Sequence, residues 1–289
     1  MADTKRDAGP LKQMGGKAGQ VAQLAAMLPA FERFVDPFVG GASLPCYLRK
    51  GGFTGPMLLS DANRPLMAVW QALQQDPDAL VARVGAMRKL EGRSVFEVFR
   101  GELDALYKPQ VKLGARPLQV STVEVAARWI YLNRRTFSGL SRVNRQGGLN
   151  MPWGEDAALP SEATLRKASA AMAGAELRVC SFEEVIAETR AGDLIYADPP
   201  YMALDGKQAF TAYSGTFDVR HHRRLEQLCR EADGRGVKFL ACNADCQDAR
   251  TIWRDWKIET VYIGRPGNSN GEGRGAVAEL RITNYDSGQ

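Results

Sequence analysis

Four consecutive residues, Asp198-Pro199-Pro200-Tyr201, follow the apolar run Leu194-Ile195-Tyr196-Ala197. Together they place a carboxylate, proline-flanked carbonyls and a flat ring at one spot. Proline fixes φ and has no N–H, so the Pro199 carbonyl can accept a hydrogen bond beside the Asp198 carboxylate. An exocyclic amino group has two hydrogens to donate to such a pair. Tyr201 can then cover the ring that carries the amine, and stacking of a base on an aromatic contributes about 1–3 kcal/mol. The chemistry implied is the binding and activation of a planar amine. The ordinary alternative is a strand that ends in a turn, because Pro-Pro punctuates loops.

The elements that would position this group read as an α/β chain. Phe34-Val35 predicts a strand, Asp36 to Ser43 a loop containing Gly40-Gly41, and Leu44 to Lys50 a helix. Glycines let a backbone approach a ligand, and the helix N-terminus that follows is electropositive, which together imply a nucleotide-like ligand. A second strand, Pro56 to Ser60, ends at Asp61, where doubly wound folds hold ribose hydroxyls. Asp61 could equally cap the helix that follows. Later come a strand over 194–197, a helix over 219–233, a strand over 237–243 and a final pair around 258–263 and 276–285. Alternation at both ends of the chain predicts an open sheet covered on both faces. Between Asp61 and about Glu162 helical patterns dominate (67–75, 78–90, 123–132), followed by a Gly- and Arg-rich stretch that reads as a hairpin. The chain therefore divides into a discontinuous domain, 1–62 with 163–289, and an inserted, mainly helical domain, 63–162.

Composition narrows the class. The 289 residues are 45% hydrophobic and 25% charged, with a formal net charge of +5. These are globular values, and no apolar run is long enough to span a bilayer. The polar start, Met1 to Lys12, reads as a frayed tail and not a secretory signal, so a cytoplasmic location is expected. Five cysteines without regular spacing predict reduced thiols, and Cys242, Cys246, His221 and His222 do not assemble a recognised zinc spacing, so no metal is expected. From Val125 to Asn150 there are five arginines (Arg128, Arg134, Arg135, Arg142, Arg145) and no acid. Such a one-signed cluster is either a footprint for phosphates or a solvated helix face.

Taken in order, the glycine loop, the second-strand acid and Asp198 to Tyr201 resemble the S-adenosylmethionine-dependent DNA adenine-N6 methyltransferases of the Dam type. The similarity runs from about Leu11 to Tyr285. Leu11-Lys12-Gln13-Met14-Gly15-Gly16-Lys17 is similar to the family's N-terminal Gly-Gly-Lys motif. Tyr131-Leu132-Asn133-Arg134, Gly139-Leu140-Ser141-Arg142 and Asn150-Met151-Pro152-Trp153-Gly154 resemble its DNA-reading hairpin, and Phe210 to Tyr213 and Asn268 to Gly271 its later segments. The resemblance implies a Rossmann-like methyltransferase sheet with the recognition domain inserted. It implies that Lys17 meets the methionine carboxylate of the cofactor, Asp36 and Gly40 its methionine end, Asp61 its ribose and Phe182 its adenine, with Phe38 and Asp198 also lining that site. Asp198, Pro199, Pro200 and Tyr201 would hold the target base. Ala42 stands where the family often has Gly, and Ser181 where an acid commonly precedes Phe182.

For the partner, double-stranded DNA, the resemblance implies contacts from Lys12, Arg134, Arg135, Phe137, Ser138, Leu140, Arg142 and Asn144. Lys12 and Arg142 would read guanines, Leu140 a thymine methyl, Phe137 would wedge into the space left by a flipped adenine, and Arg135 would meet phosphate. These residue types fit GATC or a related short palindrome. A monomer is expected. Rival readings are methylation of an amine or amide of RNA or protein, and a catalytically inactive DNA-binding homologue. Cytosine-C5 methylation would need a thiolate, and the one Pro-Cys pair, Pro45-Cys46, lies beside the glycine loop.

Overall fold

The computed structural model describes residues 9–12, 17–107, 121–139, 142–143, 149–202, 217–264 and 276–286. Its elements in chain order are α1 (Val21–Ala26), β1 (Arg33–Asp36), α2 (Ser43–Lys50), β2 (Met57–Ser60), α3 (Arg64–Gln75), α4 (Pro77–Ala86), α5 (Arg93–Tyr107), α6 (Thr122–Arg135), β3 (Arg142–Val143) and β4 (Leu149–Asn150). There follow α7 (Glu162–Met172), β5 (Glu176–Arg178), α8 (Phe182–Ala187), β6 (Asp193–Ala197), α9 (Val219–Asp233), β7 (Lys238–Ala244), α10 (Gln247–Ile252), β8 (Lys257–Gly264) and β9 (Ala276–Thr283).

A seven-stranded sheet has the order β5-β2-β1-β6-β7-β9-β8. β1 runs parallel to β2 and β6, and β6 parallel to β7, while β9 lies antiparallel between β7 and β8. β2 and β6 are buried at every residue, and β1 and β7 at every residue but the first, as a sheet covered on both faces requires. From β1 the strand order turns one way to β2 and the other way to β6. The switch point, where open α/β sheets take their ligands beyond the strands' carboxyl ends, lies between β1 and β6.

The chain forms two compact units. One comprises Met1–Ala25, Val39–Thr54 and Asp61–Val179, the other Ala26–Phe38, Gly55–Ser60 and Cys180–Gln289. In the second, strand alternation sends Val35, Ile195, Ala197, Phe239, Ala241, Leu280 and Ile282 to one face. There they pack with Leu225, Leu228, Cys229 and Ala232 of α9 and with Ala249 and Trp253 at α10. The first unit is helical, with α6 packed against α3, α4 and α5. Its aromatics meet edge to face, buried Phe99 with buried Tyr131 at 5.0 Å and buried Phe96 with half-buried Trp153 at 5.3 Å between centroids.

Helix starts follow local chemistry. Ser121, Ser161 and Ser181 cap α6, α7 and α8 with their hydroxyls, and Asp76 and Asp218 cap α4 and α9 with their carboxylates. The cap of α3 is Asn63, whose Oδ1 accepts from the Leu66 amide at 3.2 Å, and not Asp61. The helix expected over 78–90 ends at Ala86 and tightens into a 3-10 turn over Met87–Lys89, while α6 runs three residues past Leu132.

Candidate active site and nucleic-acid interface

β6 delivers Asp198 directly at its carboxyl end, with Pro199 buried and Pro200, Tyr201 and Met202 half-buried behind it. The neighbouring β1 ends in Asp36, 1% exposed, whose Oδ1 accepts from the Phe38 amide at 3.0 Å. Tyr196 of β6 is buried and stacks on Phe34 of β1 at 6.2 Å between centroids. Burial first, then the charges of Asp198, Cys242 and Asp36, hold its phenol well above the ordinary range. Asp36 and Asp198 thus flank the switch point.

The segment after β6 is held from behind. The Tyr201 hydroxyl donates to Glu279 Oε2 at 3.0 Å, and the Met202 amide donates to Asn243 Oδ1 at 3.1 Å. Asn243 Nδ2 lies 3.3 Å from Nδ1 of His222, a ring 1% exposed. Burial lowers the His222 pKa to about 4, so the ring is neutral at physiological pH and Nδ1 accepts.

Phe182, at the start of α8, stacks on Phe38 at 5.4 Å with an interplanar angle of 27°. Ser181, where an acid was the commoner choice, forms a capping box with Glu184 and so sets the Phe182 backbone. A third ring, Phe217, meets Phe38 edge-on at 5.7 Å and Phe182 at 5.6 Å. Phe217 belongs to none of the motifs legible in the sequence. Its position one residue before the Asp218 capping box, where an apolar side chain commonly folds back, was the available signal.

In the other unit, the glycine loop and the second-strand acid meet. Asp61 Oδ2 accepts from the Gly40 amide at 3.2 Å and Oδ1 from the Asn63 amide at 2.8 Å, while Trp70 Nε1 donates to the Gly40 carbonyl at 2.9 Å. Burial raises the Asp61 pKa from 3.8 to about 6, against the two amides that lower it. Ala42 has φ 51°, the left-handed region that glycine enters without strain, and is the one described non-glycine residue with positive φ. Lys17 is 4% exposed in a 3-10 turn of the same unit.

A third group collects the expected DNA contacts. The Lys12 amide donates to Asn133 Oδ1 at 2.7 Å and Asn133 Nδ2 donates to the Lys12 carbonyl at 2.8 Å, so one buried amide clamps both sides of Lys12. Gly139 has φ 72°, and a Cβ there would lie 2.9 Å from the Lys12 Cβ, which is why no side chain fits. Burial, then the nearby Arg134 charge, lowers the Lys12 pKa. Arg134 is half-buried, with Nε donating to the Ala158 carbonyl at 3.1 Å. Phe137 stands 64% exposed at the start of the hairpin segment, its amide donating to the Pro152 carbonyl at 2.9 Å. A Cβ on Gly154 would meet the Phe137 Cα at 2.8 Å, which fixes glycine at the end of the Met151-Pro152-Trp153-Gly154 stretch. β3 pairs with β4 as the expected hairpin, Arg142 opposite Asn150, and Ser138 lies in the turn Phe137–Gly139.

One expectation is corrected. Arg135, expected at a phosphate, is 3% exposed. Its guanidinium lies 4.1 Å over the Tyr131 ring, donates to the Leu90 carbonyl at 2.6 Å and pairs with Asp156 at 3.4 Å. Arg128 ion-pairs with Glu102 of α5 at 2.6 Å and with Glu124 one turn before it, so acids outside the one-signed run answer this member of it. Gly15, Gly16, Leu140, Asn144, Arg145, Phe210 to Tyr213 and Asn268 to Gly271 lie outside the described residues.

None of the five cysteines forms a disulfide, and burial pushes the Cys46 thiol up to about 11, which makes it no candidate thiolate. Among the described residues no three His, Cys, Asp or Glu side chains form a metal cluster, and no helix is long and apolar enough to cross a membrane.

A mostly parallel sheet of this order, with an acid on each side of its switch point and the Asp-Pro-Pro-Tyr segment at the end of β6, defines a Rossmann-like methyltransferase fold. The family model for D12 class N6 adenine-specific DNA methyltransferases matches residues 14–263, and the chain belongs to that family. Its reaction is methyl transfer to N6 of adenine in DNA. Among curated relatives, the type II methyltransferase M.MjaIII of Methanocaldococcus jannaschii is 29% identical over 95% of this chain and 98% of its own length. The DNA adenine methylase of Escherichia coli is 27% identical over 96% of this chain and 95% of its own. The DNA N-6-adenine-methyltransferase of Escherichia phage P1 is 30% identical over 93% of this chain and 34% of its own length.

Proposed function

We propose that the chain methylates adenine rotated out of duplex DNA, at GATC or a related short palindrome, with S-adenosylmethionine as donor. A methyltransferase family implies S-adenosylmethionine as the usual methyl donor. When bound, that cofactor supplies an electrophilic methyl group on a sulfonium. The residues present fit it. Phe38 and Phe182 offer an apolar aromatic wall for its adenine, Asp61 an acceptor carboxylate for ribose hydroxyls, and Lys17 with Asp36 and Gly40 polar groups for its methionine end.

The observation that carries the reading is Asp198 at the carboxyl end of β6, beside Asp36 across the switch point. Adenine N6 is a weak nucleophile because its lone pair is delocalised into the ring. With the Asp198 carboxylate and the Pro199 carbonyl accepting its two hydrogens, the nitrogen moves toward tetrahedral geometry and its lone pair is aimed. Positioning and oriented acceptors then supply much of the rate. Tyr201 covers the base, which must leave the stack at a cost of a few kcal/mol. Replacing Asp198 with Ala should lower the rate by about two to three orders of magnitude, the scale for losing one preorganised polar group. Transfer of radiolabelled methyl to duplex DNA, with circular dichroism to verify the fold, measures this. Near-wild-type turnover in that variant would refute the assignment.

Residues 63–162 act in this reading as the target-recognition module inserted between 1–62 and 163–289. Lys12, Arg134, Phe137, Ser138, Leu140, Arg142 and Asn144 supply the DNA contacts, and Arg135 supports the module from inside. The exposed Phe137 ring and the clamped Lys12 support this assignment. Bacterial and phage relatives favour a cytoplasmic setting. Sequencing of methylated DNA after expression tests the site, and a motif without GATC would discard the base contacts while leaving the chemistry at Asp198 standing.

A further inference from the structure

A second set of ionisable groups occupies the face of the sheet opposite the α9 core. Alternation on β9 sends Leu280 and Ile282 into that core and Glu279 and Arg281 to the other side. Register sets Arg281 opposite Cys242 and Glu279 opposite Ala244. Arg281 is 3% exposed and Glu279 13% by side chain, with Arg281 Nη1 donating to Glu279 Oε2 at 3.0 Å. The same oxygen accepts the Tyr201 hydroxyl at 3.0 Å.

A buried ion pair seldom stabilises a fold over apolar residues of similar volume, because both charges lose their water. Its use here lies in what it holds. Paired with Arg281, Glu279 stays an ionised acceptor, so the phenol must donate. Stacking of a base on an aromatic face has no strong in-plane preference, so the plane of the Tyr201 ring needs a separate anchor. The main chain just beyond the ring is fixed by the Met202 amide on Asn243, and the far end of the ring by Glu279. We propose that Glu279 and Arg281 are positioning residues that fix the plane of the Tyr201 ring over the target adenine. This rests on the base-covering role of Tyr201 proposed above. Burial, then the Asp198 charge, holds the Tyr201 phenol far above its ordinary range, so it remains a donor across the working pH.

The test uses the full chain with two duplexes, an unmodified one for kcat and one with 2-aminopurine at the mapped target adenine for emission alone, since that base has no N6 amine to methylate. Tyr201→Phe removes only the hydroxyl, and Glu279→Ala removes the acceptor. Each should lower kcat by roughly tenfold, leave KM for S-adenosylmethionine unchanged and alter the 2-aminopurine emission of the complex. The double variant should be no worse than either single one, and Glu279→Gln, which keeps an acceptor oxygen, should recover most of the Glu279→Ala loss. Melting temperature is measured for all, and if Glu279→Ala does not fold, Tyr201→Phe still decides. Full kcat and unaltered emission in Tyr201→Phe would overturn the proposal, as would losses that multiply in the double variant. Tyr201→Ala separates the two readings. If it too behaves as wild type, the base-covering role itself fails, whereas its collapse beside a fully active Tyr201→Phe removes only the positioning role.

Discussion

Cofactor affinity should depend on pH through Asp61. Its carboxyl is half-buried, and burial raises its pKa from 3.8 to about 6 despite the amides of Asn63 and Gly40. At 1.36 kcal/mol per pKa unit this rise corresponds to about 3 kcal/mol, an upper bound for a group that solvent still reaches. The sign follows from linkage. A carboxyl with a raised folded pKa contributes stability that is complete below about pH 4 and lost as pH rises through about 6, because the folded state resists ionisation. Ribose hydroxyls reverse the preference, since they donate to the ionised form and each charge-assisted bond contributes about 1.5–3 kcal/mol. If only the carboxylate binds productively, about a tenth of the protein is competent at pH 5 and nearly all at pH 8, so the Kd for S-adenosylmethionine should tighten roughly tenfold over that interval. Asp61→Asn keeps an acceptor for the Gly40 amide but cannot ionise. Its affinity at pH 8 should fall by the charge assistance of one or two such bonds, about 1–3 kcal/mol, and its pH profile should lose the step near 6. Isothermal titration calorimetry at pH 5, 6, 7 and 8 on both proteins reads this directly. Titration of the ligand's own amine is common to both curves and cancels in their difference. A wild-type curve flat across the interval, or the same step in Asp61→Asn, would show that Asp61 does not carry the ribose.

Arg135→Ala should cost about 2–3 kcal/mol in urea unfolding, from the lost guanidinium bond to Leu90 and the stack on Tyr131, while DNA affinity per folded molecule stays near wild type. A stable variant with weakened binding would return Arg135 to the phosphate list. Phe137→Ala, at a site 64% exposed, should leave stability within about 0.5 kcal/mol but diminish 2-aminopurine emission at the target. Asn133→Ala frees both backbone groups of Lys12 and, on the base contact proposed for Lys12, should relax discrimination at that base pair by about 1–3 kcal/mol, measured as kcat/KM on single-base variants of the mapped motif.

The strands and helices of the sheet were legible because their signals are local. Asp198 to Tyr201 follow an apolar strand, and the α9 boundaries coincide with the Asp218 cap and the end of its apolar stripe. Asp61 could be singled out by distance from the glycines, but its double hydrogen bonding could not, since the Gly40 amide reaches it only in the folded unit. Helices α5 and α7 went unread, although Ser161 at the head of α7 offered a capping signal. Arginines proved the least legible. Arg128, Arg134 and Arg135 share one helix and one charge, and the difference between ion pair, half-buried donor and interior prop is decided by Glu102, Ala158 and Tyr131, none of which composition can place.

The position of β9 bears on when this protein becomes active during synthesis. β9 follows β8 in the chain yet lies between β7 and β8 in the sheet. Until residues 276–283 have left the ribosome, β8 has no strand to pair with and β7 presents a bare edge. A nascent chain that has made Asp36, Asp61 and Asp198 still lacks Glu279 and Arg281, and with them the anchor of Tyr201. Proteins made from the N-terminus can often assemble early portions before the rest arrives. Here sheet order delays closure until β9 is made, so a chain stalled or cleaved before 276 would combine an aggregation-prone edge with a Tyr201 hydroxyl that lacks its Glu279 acceptor.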